Sequence, residues 1–168
     1  MKQYRPRLSK AENEMLQSHR SSNNVGVIGD THEPFCHPGY RDFCYEVFSR
    51  FGVSEIVHIG DEVDNAALSY HEKMAEMPNA ENEAEKAQKA MEKWYETFPD
   101  VKVCVGNHSA LPFRKATTAG IPNRFMKTYE EIWKAPDGWK WDLSWEIDGV
   151  LYEHGTGSSG QNGARSRA

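Results

Sequence analysis

The chain has 168 residues, 38% of them hydrophobic and 27% charged, which fits one soluble domain with a sizeable core. Its formal net charge of −5 gives a broad nucleic-acid-binding face no support, although Lys2, Arg5, Arg7 and Lys10 make the start locally basic. The longest apolar runs have strand length, so no membrane-spanning helix is expected, and no apolar core of a secretory signal follows the basic start. Cys36, Cys44 and Cys104 form no CxxC pair, which reads as reduced thiols in a cytoplasmic protein.

Leu8 to Arg20 is predicted as a short helix, with Ser9 capping ahead of Glu12, and Ser21 to Asn24 break it. Residues 1–24 are thus an N-terminal helical extension, and residues 25–168 are the main domain. Val25 to Ile28, stopped by Gly29-Asp30, is an apolar run of the kind that forms a buried strand. Pro38 suits the first turn of a following helix that carries Phe43, Val47, Phe48 and Phe51 inward.

The cycle repeats at Glu55 to Ile59, a second strand ending in Gly60-Asp61. Ala84, Ala87, Met91, Trp94 and Phe98 recur at helical spacing, with the Glu85–Lys89 and Lys89–Lys93 pairs on the exposed face. Val101 to Val105 is a third strand, ending Gly106-Asn107-His108. A helical stretch around Ile121 to Lys134 follows. Trp141–Glu146 and Val150–Glu153 then alternate about Asp148-Gly149, the pattern of a hairpin. Strand–helix–strand order implies an α/β fold with a parallel sheet, to which the hairpin adds further strands.

Three strands therefore end in glycine followed by a polar residue able to bind metal, and a fourth ends Glu153-His154-Gly155. Ligands in open α/β sheets bind outside the carboxyl ends of strands, so these residues are placed to converge. Carboxylate, amide oxygen and imidazole together suit Mn²⁺, Fe or Zn²⁺ better than a thiolate-seeking ion. Among the rest, Asp64 and Asn65 read equally as partners of the ligands or as solvated residues. His58 reads as a hydrogen-bonded core histidine, and His37 as a residue leading into the first long helix. The tryptophans Trp133, Trp139, Trp141 and Trp145 are expected to pack the hairpin on the sheet.

The ordered motifs Asp30-Thr31-His32, Gly60-Asp61, Gly106-Asn107-His108 and His154 resemble the calcineurin-like metallophosphoesterases, from Val25 to about Gly157. The stretches GDTHEPF and GNHSALPFRK are similar to phage-encoded members. The resemblance implies a four-layer αββα sandwich and two divalent metal ions, Mn²⁺ first, with Fe, Zn²⁺ or Ni as alternatives. It implies that Asp30 and His32 hold one metal, that Asn107 and His154 hold the other, and that Asp61 bridges them. The metals would acidify a shared water for attack on a phosphate monoester or diester, with His108 protonating the leaving oxygen. Arg114 and His71, each shortly after a motif, could contact the substrate phosphate.

Two features depart from the family pattern. Ser109 stands where an acidic residue commonly follows G-N-H, and the closing G-H-x-H motif is absent. That absence implies an incomplete second sheet and a chain cut short of its functional end. It also favours the alternative of an impaired fold serving as a binding scaffold, against which the retained His108 argues.

Overall fold

Four short apolar runs become the four strands of one parallel sheet in a computed structural model that describes residues 9–11, 23–70 and 79–155. The strands β1 (Val25–Ile28), β2 (Glu55–His58), β3 (Val101–Cys104) and β4 (Trp139–Asp142) lie side by side in chain order. Each pairs in parallel with the one before it, in registers that include Ile28 with His58, His58 with Val103, and Cys104 with Asp142. The carboxyl ends of the first three strands are therefore level, and their terminal loops emerge at one edge.

The helices α1 (Tyr40–Phe51), α2 (Ala80–Thr97), α3 (Leu111–Thr118) and α4 (Tyr129–Ile132) connect the strands. Asn79 caps α2 by accepting from the Asn82 N–H at 2.9 Å. Its Ala87, Met91 and Trp94, with Phe98 beyond its end, are buried as the helical spacing predicts. They pack with Ile28, Val101, Val103 and Trp139 into the larger core on one face of the sheet. Burying such side chains stabilises the fold by about 1.5–3 kcal/mol each.

A second, two-stranded antiparallel sheet, β5 (Ser144–Ile147) and β6 (Val150–Glu153), covers part of the other face. Val57, Cys104 and Ile147 form the core between the sheets, joined at its edge by Trp145 and Tyr152. The Trp145 indole N–H donates to the Val103 carbonyl at 3.0 Å and so ties the two layers. The expected Asp-Gly turn is present: Asp148 and Gly149 both have positive φ, 51° and 78°, as a two-residue hairpin turn requires. β6 then delivers His154 to the edge where the loops after β1, β2 and β3 gather.

Several local expectations change. The run from Trp141 to Glu146 is not one strand, because the chain leaves the parallel sheet at Leu143, 75% exposed, and enters the second sheet at Ser144. Trp139 and Trp141 thus belong to the parallel sheet, and Trp133 to the main core. In α1 Cys44 is the buried residue, at 3% exposure, and Phe48 packs against the core as expected, while Phe43 is 40% exposed. That helix begins at Tyr40 with Gly39 as its N-cap, so Pro38 precedes it. The stretch from Ile121 to Lys134 contains only the short 3₁₀ turn Asn123–Phe125 and α4, since Pro122 interrupts it. The cysteines are free, and no described helix is long and apolar enough to cross a membrane. The helix predicted over Leu8 to Arg20 and the tail beyond Gly155 lie outside the described residues, apart from residues 9–11.

Candidate metal centre

The loops after β1 and β2 run together beyond the sheet. The His32 N–H donates to the Asp61 carbonyl at 2.9 Å, the Glu33 N–H to Glu62 at 3.0 Å, and the Asp64 N–H back to Glu33 at 3.0 Å. This ladder holds Asp30 and His32 against Asp61 and Asp64. Asp30, His32 and Asp61 all adopt left-handed backbone, with φ of 47°, 47° and 51°. Such conformations cost about 1–3 kcal/mol each for non-glycine residues and gather where side chains must be aimed at a ligand.

Asp30, His32 and Asp61 each bring a ligand atom within 4.8 Å of the others. Asp61 is buried at 3% exposure, whereas the Asp30 side chain is 57% exposed. Asp61 Oδ1 accepts the His108 N–H at 2.7 Å and the Ser109 N–H at 3.3 Å, which anchors the Gly106-Asn107-His108 turn. Asp61 Oδ2 faces His154 Nε2 at 3.2 Å. Glycines permit this approach: a side chain at Gly106 would collide with the Asp61 carboxylate and backbone nitrogen. Gly60, at φ 103°, has His154 Nδ1 only 2.6 Å from where its Cβ would stand.

The tautomer of His154 shows why a cation suits this site. Its Nδ1 lies 2.8 Å from the Ile59 carbonyl, an acceptor, so Nδ1 carries the hydrogen and donates. Its Nε2 then faces Asn107 Oδ1 at 2.9 Å and Asp61 Oδ2 at 3.2 Å. With Nε2 unprotonated, three acceptors meet there, and either a proton on Nε2 or a bound cation relieves them. Carboxylate, amide oxygen and imidazole are donors that divalent transition metals accept, so the residues fit such an ion.

A second group, His32, Asp64 and His108, also has one candidate ligand atom from each residue within 4.8 Å. Asp64 Oδ1 sits 2.8 Å from His32 Nδ1 and 3.0 Å from His108 Nδ1. His108 Nδ1 is closer still, 2.6 Å, to the Asp64 carbonyl, and Asn65 Nδ2 donates to the His108 carbonyl at 3.0 Å. The two imidazole rings meet edge to face at 4.8 Å. Of the two readings open for Asp64 and Asn65, the structure favours that of partners.

His58 is 1% exposed beneath the centre. The Gly60 N–H donates to its Nδ1 at 3.2 Å, so its Nε2–H donates to Thr31 Oγ1 at 3.1 Å, and that hydroxyl donates to the Glu62 carbonyl at 2.9 Å. Burial, reinforced by His154 and His32, pushes its pKa down to about 3, so it remains a neutral core histidine. Glu62 is a buried neighbour of the site that the sequence does not announce. Its buried carboxyl accepts from Ser109 Oγ at 2.6 Å and Trp141 Nε1 at 3.1 Å. Burial pushes this carboxyl up, against the two donors that favour its charge. Glu62 thus braces the turn at Ser109, where the family commonly has an acid. An acid beside Asp61 reads in sequence as a solvated one, so nothing in the pattern marks it.

Arg114 lies on α3, exposed, with its guanidinium 5.8 Å from the Tyr70 ring, where Lys115 stacks at 3.6 Å. His71 lies outside the described residues. No curated protein and no solved structure matches the chain significantly. A family model described as calcineurin-like phosphoesterase matches residues 24–166, so the parallel sheet, the convergent loops and the metal-suited donors belong together. The chain is a member of the calcineurin-like phosphoesterase family, whose activity is metal-dependent phosphoester hydrolysis.

Proposed function

We propose that the chain hydrolyses a phosphate monoester or diester at a two-metal centre, with His108 as the acid for the leaving oxygen. Asp30 and His32 would hold one divalent ion, Asn107 and His154 the other, and Asp61 both. When bound, such ions would acidify a water for attack and offset charge on the phosphoryl group.

The observation that carries this reading is the convergence of His154 Nε2, Asn107 Oδ1 and Asp61 Oδ2 beside the strand ends that carry Asp30 and His32. The other side chains have separate work. Asp61 commits Oδ1 to the turn that carries Asn107 and His108, and turns Oδ2 toward the centre. Asp64 accepts from His108 Nδ1, so His108 Nε2 is the nitrogen left to give a proton. As water oxygen, its proton released to solvent, bonds to phosphorus, the bond to the leaving oxygen breaks in line and that oxygen takes the Nε2 proton, which His108 regains from solvent. The Asp64 carboxylate, 3.0 Å from Nδ1, helps to orient the ring for that transfer. Arg114 and His71 would contact non-bridging phosphate oxygens.

The test is hydrolysis of an aryl phosphate monoester and diester by the full chain with Mn²⁺, Fe²⁺, Zn²⁺ or Ni²⁺, before and after chelation. Metal-restored turnover is expected. Turnover indifferent to chelation, or none from protein holding two metals, sinks the proposal.

A further inference from the structure

A cleft of about 440 Å³ opens between the segment after His32 and the middle of α2. None of the metal-centre candidates Asp30, His32, Asp61, Asn107, His108 or His154 lines it. Its rim carries Arg41 from the start of α1 and Lys86, Lys89 and Lys93 from α2. The spacing of three, then four residues puts the lysines on one stripe of the helix, and helical periodicity places Glu85, Glu92 and Glu96 on the adjoining outer stripe. Among the described residues, none of the three ammonium groups lies within ion-pair distance of a carboxylate. Four cations therefore share one concavity in a chain of net charge −5.

Arg41 adds a second observation. One terminal nitrogen reaches the exposed Asp42 at 3.2 Å, but its Nε is shut off from solvent and has no hydrogen-bond partner. It is the only buried side-chain nitrogen or oxygen without a partner among the described residues. A guanidinium N–H without an acceptor is costly, and turning the side chain to an anion in the cleft would relieve that cost. The cleft floor holds Glu33, which accepts the Trp94 indole N–H at 2.8 Å. Glu33 is the one carboxylate of the lining, against four cations.

We propose that this cleft binds a phosphoryl dianion, as free phosphate or as the phosphate of a small organic ester, at a site separate from the metal centre. Two negative charges and several acceptor oxygens answer four cations better than a single carboxylate does. The arginine fork can pair two of those oxygens, while the lysines act as point charges. The volume leaves room for an organic group against the prolines and Ala90. The inference does not rest on the proposed hydrolysis.

Titration calorimetry of the full chain with inorganic phosphate and with adenosine 5′-monophosphate tests it. Binding is expected to weaken about tenfold in Arg41→Gln and in Lys89→Gln/Lys93→Gln, as when charge-assisted hydrogen bonds are lost. Titrated after chelation, so that the metal centre takes no phosphate, Asp61→Asn should leave it unchanged. The two lysines are exposed, so the double variant should keep its Tm and remain interpretable even if Arg41→Gln unfolds. Tighter binding of the nucleotide would point to an organic ester as occupant, and equal binding to phosphate alone. No binding by the wild type, equal binding in the cleft variants, or loss in Asp61→Asn overturns the proposal. So does a single-stranded oligonucleotide that binds more tightly than either small ligand.

Discussion

Asp64 holds His108 Nδ1 from two sides, with its carbonyl oxygen at 2.6 Å and its carboxylate Oδ1 at 3.0 Å. The carbonyl sets the tautomer, and the carboxylate adds a second, charged contact. Asp64→Asn keeps the first contact and loses the charge of the second. We expect kcat on alkyl phosphates, which need a proton on the leaving oxygen, to fall about 10–100-fold, the usual effect of a partner one step from the chemistry. Aryl phosphates should lose much less, and His108→Ala should show the same selectivity with a loss of about 10²–10⁴-fold. A leaving-group series measures this. Equal loss across the series, with bound metal lost as well, would mean that Asp64 acts chiefly through His32, 2.8 Å away.

Asp61 and Asp30 should differ sharply as metal-centre candidates. Asp61 is buried, holds the His108 and Ser109 N–H groups with Oδ1 and faces His154 with Oδ2, whereas the Asp30 side chain is 57% exposed and only approaches His154, at 3.9 Å. Asp61→Asn should lower both metal content and turnover more than Asp30→Asn. Elemental analysis after gel filtration provides the comparison. Unchanged metal content in the Asp61 variant counts against a bridging role.

Gly106→Ala is predicted to abolish turnover, although one methyl group is a small change. The new Cβ would strike the Asp61 carboxylate and its backbone nitrogen, and neither belongs to a flexible chain end. Gly52→Ala is the control: Gly52 has φ 61° and no atom within 4 Å of where a Cβ would stand, so it should cost only stability, about 1 kcal/mol. Thermal melts with turnover separate the two. A Gly106→Ala protein of normal activity would falsify the close packing of the Asn107 turn on Asp61.

The cysteines yield a prediction in pH. Burial pushes Cys36 up to about 12 and Cys104 up to about 11, and raises Cys44 as well, from an ordinary value near 9. Between about pH 9 and 11 the folded chain therefore keeps thiol protons that the unfolded chain releases. Stability from this source is complete below pH 9 and is lost as pH rises through that window. Tyr95 and Tyr129, also raised by burial, act in the same direction at higher pH. At pH 8 a thiol reagent should modify the native protein slowly and all three thiols promptly in denaturant. Rapid native labelling of Cys36 would contradict the raised value.

The strand ends are legible in the sequence because glycine followed by a polar residue interrupts an apolar run, and Gly29, Gly60 and Gly106 all do so. His58 is legible for the same reason, lying between Val57 and Ile59. The passage from β4 to β5 is not, since Trp139 to Ile147 alternates without a break while the chain changes sheet at Leu143. Buried acids are equally hidden. Glu33, Glu62 and Glu83 look like solvated residues in sequence, because their partners (Trp94, Ser109, Trp141 and two backbone amides) are distant along the chain. Helix α3 is hidden as well, because it starts just after Gly106-Asn107-His108, where glycine and asparagine signal a loop, and carries Pro112 in its first turn.

Glu83 supplies the last prediction. It lies in the first turn of α2 at 3% exposure, and its two oxygens accept the N–H groups of Ala66 at 2.6 Å and Ala67 at 2.7 Å. These are the first residues of the 3₁₀ turn Ala66–Leu68, whose N-cap, Asn65, has φ 50° and donates to the His108 carbonyl. One carboxylate therefore anchors the loop that carries both Asp64 and Asn65, and through them the position of His108. Glu83→Ala removes two charge-assisted hydrogen bonds and leaves two amides unsatisfied, for a cost of about 3 kcal/mol. For a chain of this size that corresponds to a Tm lowered by about 6–12 °C. Glu83→Gln keeps one acceptor oxygen and should fall between the two. Amide exchange should accelerate at Ala66 and Ala67 before it does in the sheet, because the anchor is local. Turnover on alkyl phosphates should decline more than on aryl phosphates, since the loop positions His108 and no Glu83 atom needs to touch the substrate. Unchanged protection of those two amides in Glu83→Ala would show that the loop holds itself, and the link from α2 to His108 would be lost.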